Sequence, residues 1–341
     1  MKLLKAVIVS AVILSFVIGV AAQEKAPLKL LQSTPLPELH DGDFDHLTPD
    51  VAGNRLFVTA EENSKVLVFD LKTNKLIHTI DDVKAPHSLL YRADLKRLFV
   101  VDSDLGEVRI YDTDSYKPAG SIKVREGADA SGYDPSSKLF YVVNGGKDAK
   151  LPNAYISVID VASGKTEADI KIDSNDVEGV AFEKSGPRMF VNVRGKNAVE
   201  VYDRTDRTLK ATWSVAQEGK NPTSMAFDES THRLFLGTRV PGGKLIVLNS
   251  DSGKVVISYP AAGMVDDMAF DSGSKRIYFA GSEFLDVFHQ KDADHYDRIG
   301  HIATSFRAKT GVLVPELNRY YLAVPHHEKQ TAELRVYEVF P

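Results

Sequence analysis

The chain has 341 residues, 43% hydrophobic, 26% charged and 9% aromatic, and its 42 basic against 47 acidic side chains leave a net charge of −5. That mix excludes a collagenous, disulfide-stapled or wholly disordered protein, and the mild acidity offers no overall attraction to nucleic acid or anionic membrane. Cysteine is absent, so disulfides, thiolate metal sites, covalent c-type haem and cysteine nucleophiles are ruled out.

The first element in chain order is a secretory signal pattern over Met1 to Ala22. Lys2 and Lys5 form a positive start, Ala6 to Val20 is an apolar stretch of 15 residues, and Val20-Ala21-Ala22 places small residues before Gln23. An uncleaved anchor is the alternative, at barely spanning length. No cysteine follows the apolar stretch, so a lipoprotein anchor is excluded and a periplasmic or secreted protein is expected. Removal of Lys2 and Lys5 leaves 40 basic and 47 acidic residues, a net of −7.

From there a basic-apolar-aromatic phrase recurs seven times. It reads Arg55-Leu56-Phe57, Arg97-Leu98-Phe99, Lys138-Leu139-Phe140, Arg188-Met189-Phe190, Arg233-Leu234-Phe235, Arg276-Ile277-Tyr278 and Arg319-Tyr320-Tyr321. The middle residues lie 42, 41, 50, 45, 43 and 43 apart. An alternating run follows each phrase, as in Val66-Leu67-Val68-Phe69-Asp70 and Val199-Glu200-Val201-Tyr202-Asp203. Period-2 alternation of β-branched and aromatic residues, closed by turns such as Thr73-Asn74 and Ser252-Gly253, is the signature of short strands.

A period of roughly 40–45 residues matches a four-stranded propeller blade. In the fifth unit the strands are expected at Thr223 to Asp228, Arg233 to Thr238, Lys244 to Asn249 and Lys254 to Tyr259, from the inner strand to the outer one. Seven units predict an all-β, seven-bladed β-propeller of four-stranded antiparallel blades, in one domain over residues 23–341. The seventh unit ends after its third strand, and Leu28 to Thr34 has the composition of the missing outer strand. It is expected to pair beside Leu334 to Phe340 and close the ring, which covers an exposed edge.

Phe140-Tyr141-Val142-Val143-Asn144, followed by Ile156-Ser157-Val158-Ile159-Asp160, resembles the YVTN-repeat consensus; Leu56-Phe57-Val58-Thr59-Ala60 and Met189-Phe190-Val191-Asn192-Val193 are weaker copies. The chain is similar to the YncE-like group of exported seven-bladed propellers. The resemblance implies fold, while propellers host many unrelated activities. A DNA-binding role associated with that group does not carry over to an exported acidic chain. Nucleic acid is therefore not an expected partner.

Blade position locates the candidate site. The residues that open the inner strands at the central channel are Asp45, His87, Asp129, Glu178, Thr223, Asp266 and Lys309, with His46 and Asp267 beside two of them. Such a ring either is simply solvated or holds a ligand, and its carboxylates and histidines could bind a divalent cation. At the ends of the second strands the aligned residues are Glu61, Ser103, Asn144, Arg194, Arg239, Ser282 and Pro325. Arg194 with Lys196, and Arg239 with Lys244, suit either an anionic ligand or pairing with neighbouring acids. His326-His327 offers metal-binding or proton-transfer groups if the loop is irregular. The blade-three insertion, Gly145 to Asn153, is a further ligand-facing loop.

No phosphate loop, dinucleotide fingerprint, HExxH helix or nucleophile elbow occurs, and nothing nominates a nucleophile. The expected function is a monomeric, non-catalytic scaffold that binds an envelope protein, peptide or small-molecule ligand on its channel face without a cofactor. The alternative is a metal-assisted, lactonase-like hydrolase that uses the channel carboxylates, the histidines and a divalent cation.

Overall fold

The computed structural model describes residues 26–340, and the signal pattern over Met1 to Ala22 lies outside them. Seven four-stranded antiparallel sheets form the blades of a β-propeller. In blade five the strands are Pro222–Asp228, Arg233–Thr238, Lys244–Asn249 and Val255–Pro260, as the repeat pattern anticipates. Among the described residues, no helix is long and apolar enough to cross a membrane.

The burial of each strand follows from its rank in the blade. The second strand of blade one, Arg55–Ala60, is buried from Leu56 onward, because neighbouring blades cover both of its faces. Its outer strand, Leu76–Ile80, exposes three of its five residues. The apolar core is therefore divided among blade interfaces. Phe57, Val66 and Val68 of blade one pack on Leu98, Val100 and Tyr111 of blade two. Leu56, Val58 and Phe69 face Tyr321, Leu334 and Val336 of blade seven across the opposite interface.

The ring closes as expected. Leu28–Pro35 pairs antiparallel with Glu333–Val339, with Leu28 opposite Val339 and Thr34 opposite Leu334. The N–H of Phe340 donates to the Pro27 carbonyl at 3.0 Å. In blade one the outer strand skips a residue between His78 and Leu76, and in blade four between Ala211 and Leu209. The N-terminal strand carries the same irregularity at Leu31, between Leu30 and Gln32. Such a bulge adds local twist, and its recurrence makes this segment a full equivalent of the other outer strands.

Blade three corrects the repeat alignment by one residue. Arg55 pairs with Asp70 and Arg188 with Asp203, but in blade three Leu139, and not Lys138, pairs with Asp160. Lys138 lies before the strand with a positive φ of 61°. Tyr141, rather than Phe140, consequently takes the packing position of Phe57, in the interface with blade four.

In four blades the recurrent arginine joins its blade to the next. Arg55 pairs with Asp50 of its own blade at 2.6 Å and donates to the Thr113 carbonyl of blade two. Arg188 likewise joins Glu183 to the Ser250 carbonyl of blade five. Arg233 Nε donates to the Ala293 carbonyl of blade six at 3.0 Å, and Arg276 reaches the Phe340 carbonyl of blade seven. In these four blades the basic residue of the phrase is thus a clamp between blades, whereas Arg97 and Arg319 pair within their own blades, with Asp112 and Glu338.

Candidate site at the channel mouth

A cavity of about 540 Å³ opens at one end of the channel, and the residues that open all seven inner strands line it. Backbone pairing sets their positions. The N–H groups of Asp45, Asp129, Glu178 and Asp266 donate to the carbonyls of Thr59, Val143, Asn192 and Ala280 at 2.9–3.2 Å. Each of these four is anchored to its second strand at the same register, so their side chains converge where the blades meet.

The acids and bases are interleaved. His87 Nδ1 lies 2.7 Å from Asp45 Oδ2 and 3.2 Å from Asp129 Oδ1, and its Nε2 is 3.5 Å from Glu61 Oε1. His46 Nδ1 bonds Asp267 Oδ1 at 2.9 Å, while its Nε2 stands 3.6 Å from Asp45 Oδ1. Across the mouth Lys309 Nζ meets Asp266 Oδ2 at 2.6 Å and Arg239 meets Asp266 Oδ1 at 3.0 Å. Arg194 pairs with Glu178 and approaches Asp176 Oδ1 at 3.4 Å.

Burial and charge separate the carboxyl groups into two kinds. Burial alone would raise Asp45, but His46 and His87 outweigh it and hold the group below its ordinary value. Asp129 is lowered in the same way by His87, and Asp266 by Lys309 and Arg239. Glu61 is pushed up to about 7 by burial and by repulsion from Asp45 and Asp129, against the opposing charge of His87. Glu178 is pushed up to about 8 by burial and by Asp129 and Asp266, which Arg194 only partly offsets. Burial disfavours the imidazolium of His46, yet Asp45 and Asp267 raise it well above its usual value; Asp129 and Asp45 do the same for His87.

Of the residues expected from sequence, Asp45, His46, His87, Asp129, Glu178, Asp266, Arg194 and Arg239 all line the cavity. The two arginines are paired with acids, which is the second of the two alternatives open to them. His326 and His327 stand apart from the lining residues. His326 forms backbone bridges with Asp41 and Gly42, and the His327 ring packs 4.6 Å from Phe306. Asn144 is fully buried, because the one-residue shift of blade three draws it into the strand, where its amide donates to Ser157 Oγ. The insertion does reach the mouth through Lys147 and Asp148. Sequence reasoning missed Asp43, which pairs with Arg307 at 2.6 Å and lies 3.4 Å from Lys309. The acid-rich run Asp41-Gly42-Asp43-Phe44-Asp45-His46 was the available signal for it.

Seven blades with a charged, concave channel mouth define the class: a β-propeller whose candidate site is assembled from every blade. The YncE-like β-propeller family model matches residues 39–288, and the chain belongs to that family. Among curated proteins, none matches the sequence. A chain in the crystal structure of the mitotic checkpoint complex is similar in fold, with 16% identity, a TM-score of 0.73, and coverage of 100% of this chain and 99% of that one. At that identity the likeness concerns the fold alone.

Proposed function

We propose that this propeller is an exported scaffold that binds a small polar ligand or peptide in its channel mouth without transforming it. The observation that carries this reading is the convergence of all seven inner-strand residues on one cavity. Nine carboxyl groups line it, interleaved with Lys147, Arg194, Arg239, Lys309 and the imidazoles of His46 and His87, so the mouth suits a polar ligand that presents a positive group to the carboxylates. The signal pattern over Met1 to Ala22 supports export to the periplasm or beyond, and an envelope peptide, protein or metabolite is the matching partner class.

The test is a thermal-shift and calorimetric screen of amines, amino acids and short basic peptides. Asp129→Ala, Glu178→Ala and Asp266→Ala are each expected to weaken any ligand found by 10-fold or more. Unchanged affinity in all three would refute the channel-mouth reading.

A second reading, metal-assisted hydrolysis of a lactone or ester, is favoured by the mixed imidazole and carboxylate donors of the acidic half. A bound cation would polarise the carbonyl and activate water. Lactone turnover by protein reconstituted with divalent metal tests it, and absence of turnover eliminates it.

A further inference from the structure

We propose that the mouth holds one divalent first-row transition-metal ion on Asp45, His46 and Asp129, with Asp267 as the group that orients the histidine. This rests on the reading of the mouth as a binding site and names an ion that it takes. The three donor atoms all lie within 4.8 Å of one another, close enough to converge on a single ion.

The hydrogen bonds around the three donors prepare them for that role. Asp267 Oδ1 lies 2.9 Å from His46 Nδ1, and its Oδ2 accepts the backbone N–H of Gly311 at 2.9 Å. A carboxylate anchored in this way keeps the histidine proton on Nδ1 and leaves the Nε2 lone pair for a metal. That Nε2 faces Asp45 Oδ1 at 3.6 Å, too far for a hydrogen bond. A lone pair and a carboxylate oxygen that face each other are both acceptors, so the pair is reconciled by a cation between them or by a water that donates to both. A proton on His46 is one such cation and a metal ion is the other.

His87 supports the opposite side. Its Nδ1 approaches Asp45 Oδ2 and Asp129 Oδ1, which leaves each carboxylate one oxygen that His87 does not use. A second donor set, Asp45, Glu61 and His87, is also compact, but its imidazole is bonded through Nδ1 to one of the set's own carboxylates, Asp45, at 2.7 Å. In the first set the imidazole is oriented by a carboxylate outside the set, Asp267, which leaves the set's own carboxylates for the ion.

One imidazole and two carboxylates suit zinc, manganese, cobalt or iron(II) better than calcium, which prefers oxygen alone. Three protein ligands leave open positions, and these face the cavity, where an oxygen of a ligand could complete the coordination.

The experiment uses the full exported chain, stripped with chelator and titrated with Co²⁺ by calorimetry and visible absorption. One equivalent is expected to bind, with d–d bands that signal nitrogen and oxygen ligation. His46→Ala should weaken binding more than 100-fold, and Asp267→Asn, which keeps size and fold, by about 10–100-fold. His301→Ala, remote from the mouth, should bind as the wild type does. Absence of stoichiometric Co²⁺ binding overturns the inference, as does binding that is unchanged in His46→Ala and Asp267→Asn. Either result leaves the organic-ligand screen to decide the channel-mouth reading separately.

Discussion

Arg204 of blade four reaches back to Asp134 of blade three, reversing the direction in which the other arginine clamps run. The cause is the one-residue shift in blade three. Leu139 fills the strand position that Arg55 and Arg188 occupy elsewhere, so Asp134 has no arginine of its own blade to meet. Arg204 supplies the charge from the next blade and also donates to the Glu183 carbonyl at 2.6 Å. Both side chains of the pair are almost fully buried, at 8% and 3% exposure. Removing one partner of such a pair strands the other charge in a dry environment. Arg204→Ala is expected to destabilise the fold by about 3–5 kcal/mol in urea unfolding. Arg204→Lys should recover little of it, since a single ammonium cannot span the carboxylate and the carbonyls together.

Ring closure gives a second expectation. Leu28 is buried at the seam, in the cluster formed with Tyr278 of blade six and Tyr337 of blade seven. Leu28→Ala should lower stability by about 2–5 kcal/mol through lost burial and the cavity left behind. Deleting residues 27–35 should lower the melting temperature much further, because it exposes the edge of Glu333–Val339. An unchanged melting temperature for the deletion would mean that the strand does not fasten the ring.

Trp213, the sole tryptophan, reports on the turn at Gly253. Gly253 has φ +71°, and a β-carbon there would collide with the indole ring. Gly253→Ala therefore combines left-handed backbone strain with overpacking and should cost about 1–3 kcal/mol. Tryptophan emission is expected to shift to the red as the ring is displaced. Unaltered emission and stability would refute the contact.

The proton on Glu178 sets a pH dependence. Its folded-state value, about 8, lies above the ordinary 4.5, so between those limits the folded protein holds a proton that the unfolded chain has released. Stability from this group is full below pH 4.5, falls as pH rises toward 8, and reaches its floor above 8. Glu178→Gln removes that loss. The variant should gain melting temperature over the wild type at pH 8.5, gain little at pH 4.5, and show a flatter profile between them. A wild-type profile parallel to that of the variant over this range would contradict the assignment.

Sequence by itself determined the architecture: seven phrases at near-constant spacing, the unpartnered strand at Leu28 to Thr34, and the seven residues that open the inner strands. Those features are periodic, and strand alternation with fixed spacing leaves one way to bury the apolar faces between blades. The tertiary structure alone decided which charges meet. Arg239 and Lys309 are distant from each other along the chain yet share Asp266, and His46 is held by Asp267 across the ring. No local pattern encodes those partners, because they are set by the curvature of the closed ring. The same holds for the reversed clamp of Arg204, which exists only because Lys138 sits one residue outside its strand. Backbone repetition is written in spacing, whereas electrostatic pairing depends on distances that only closure of the circle creates.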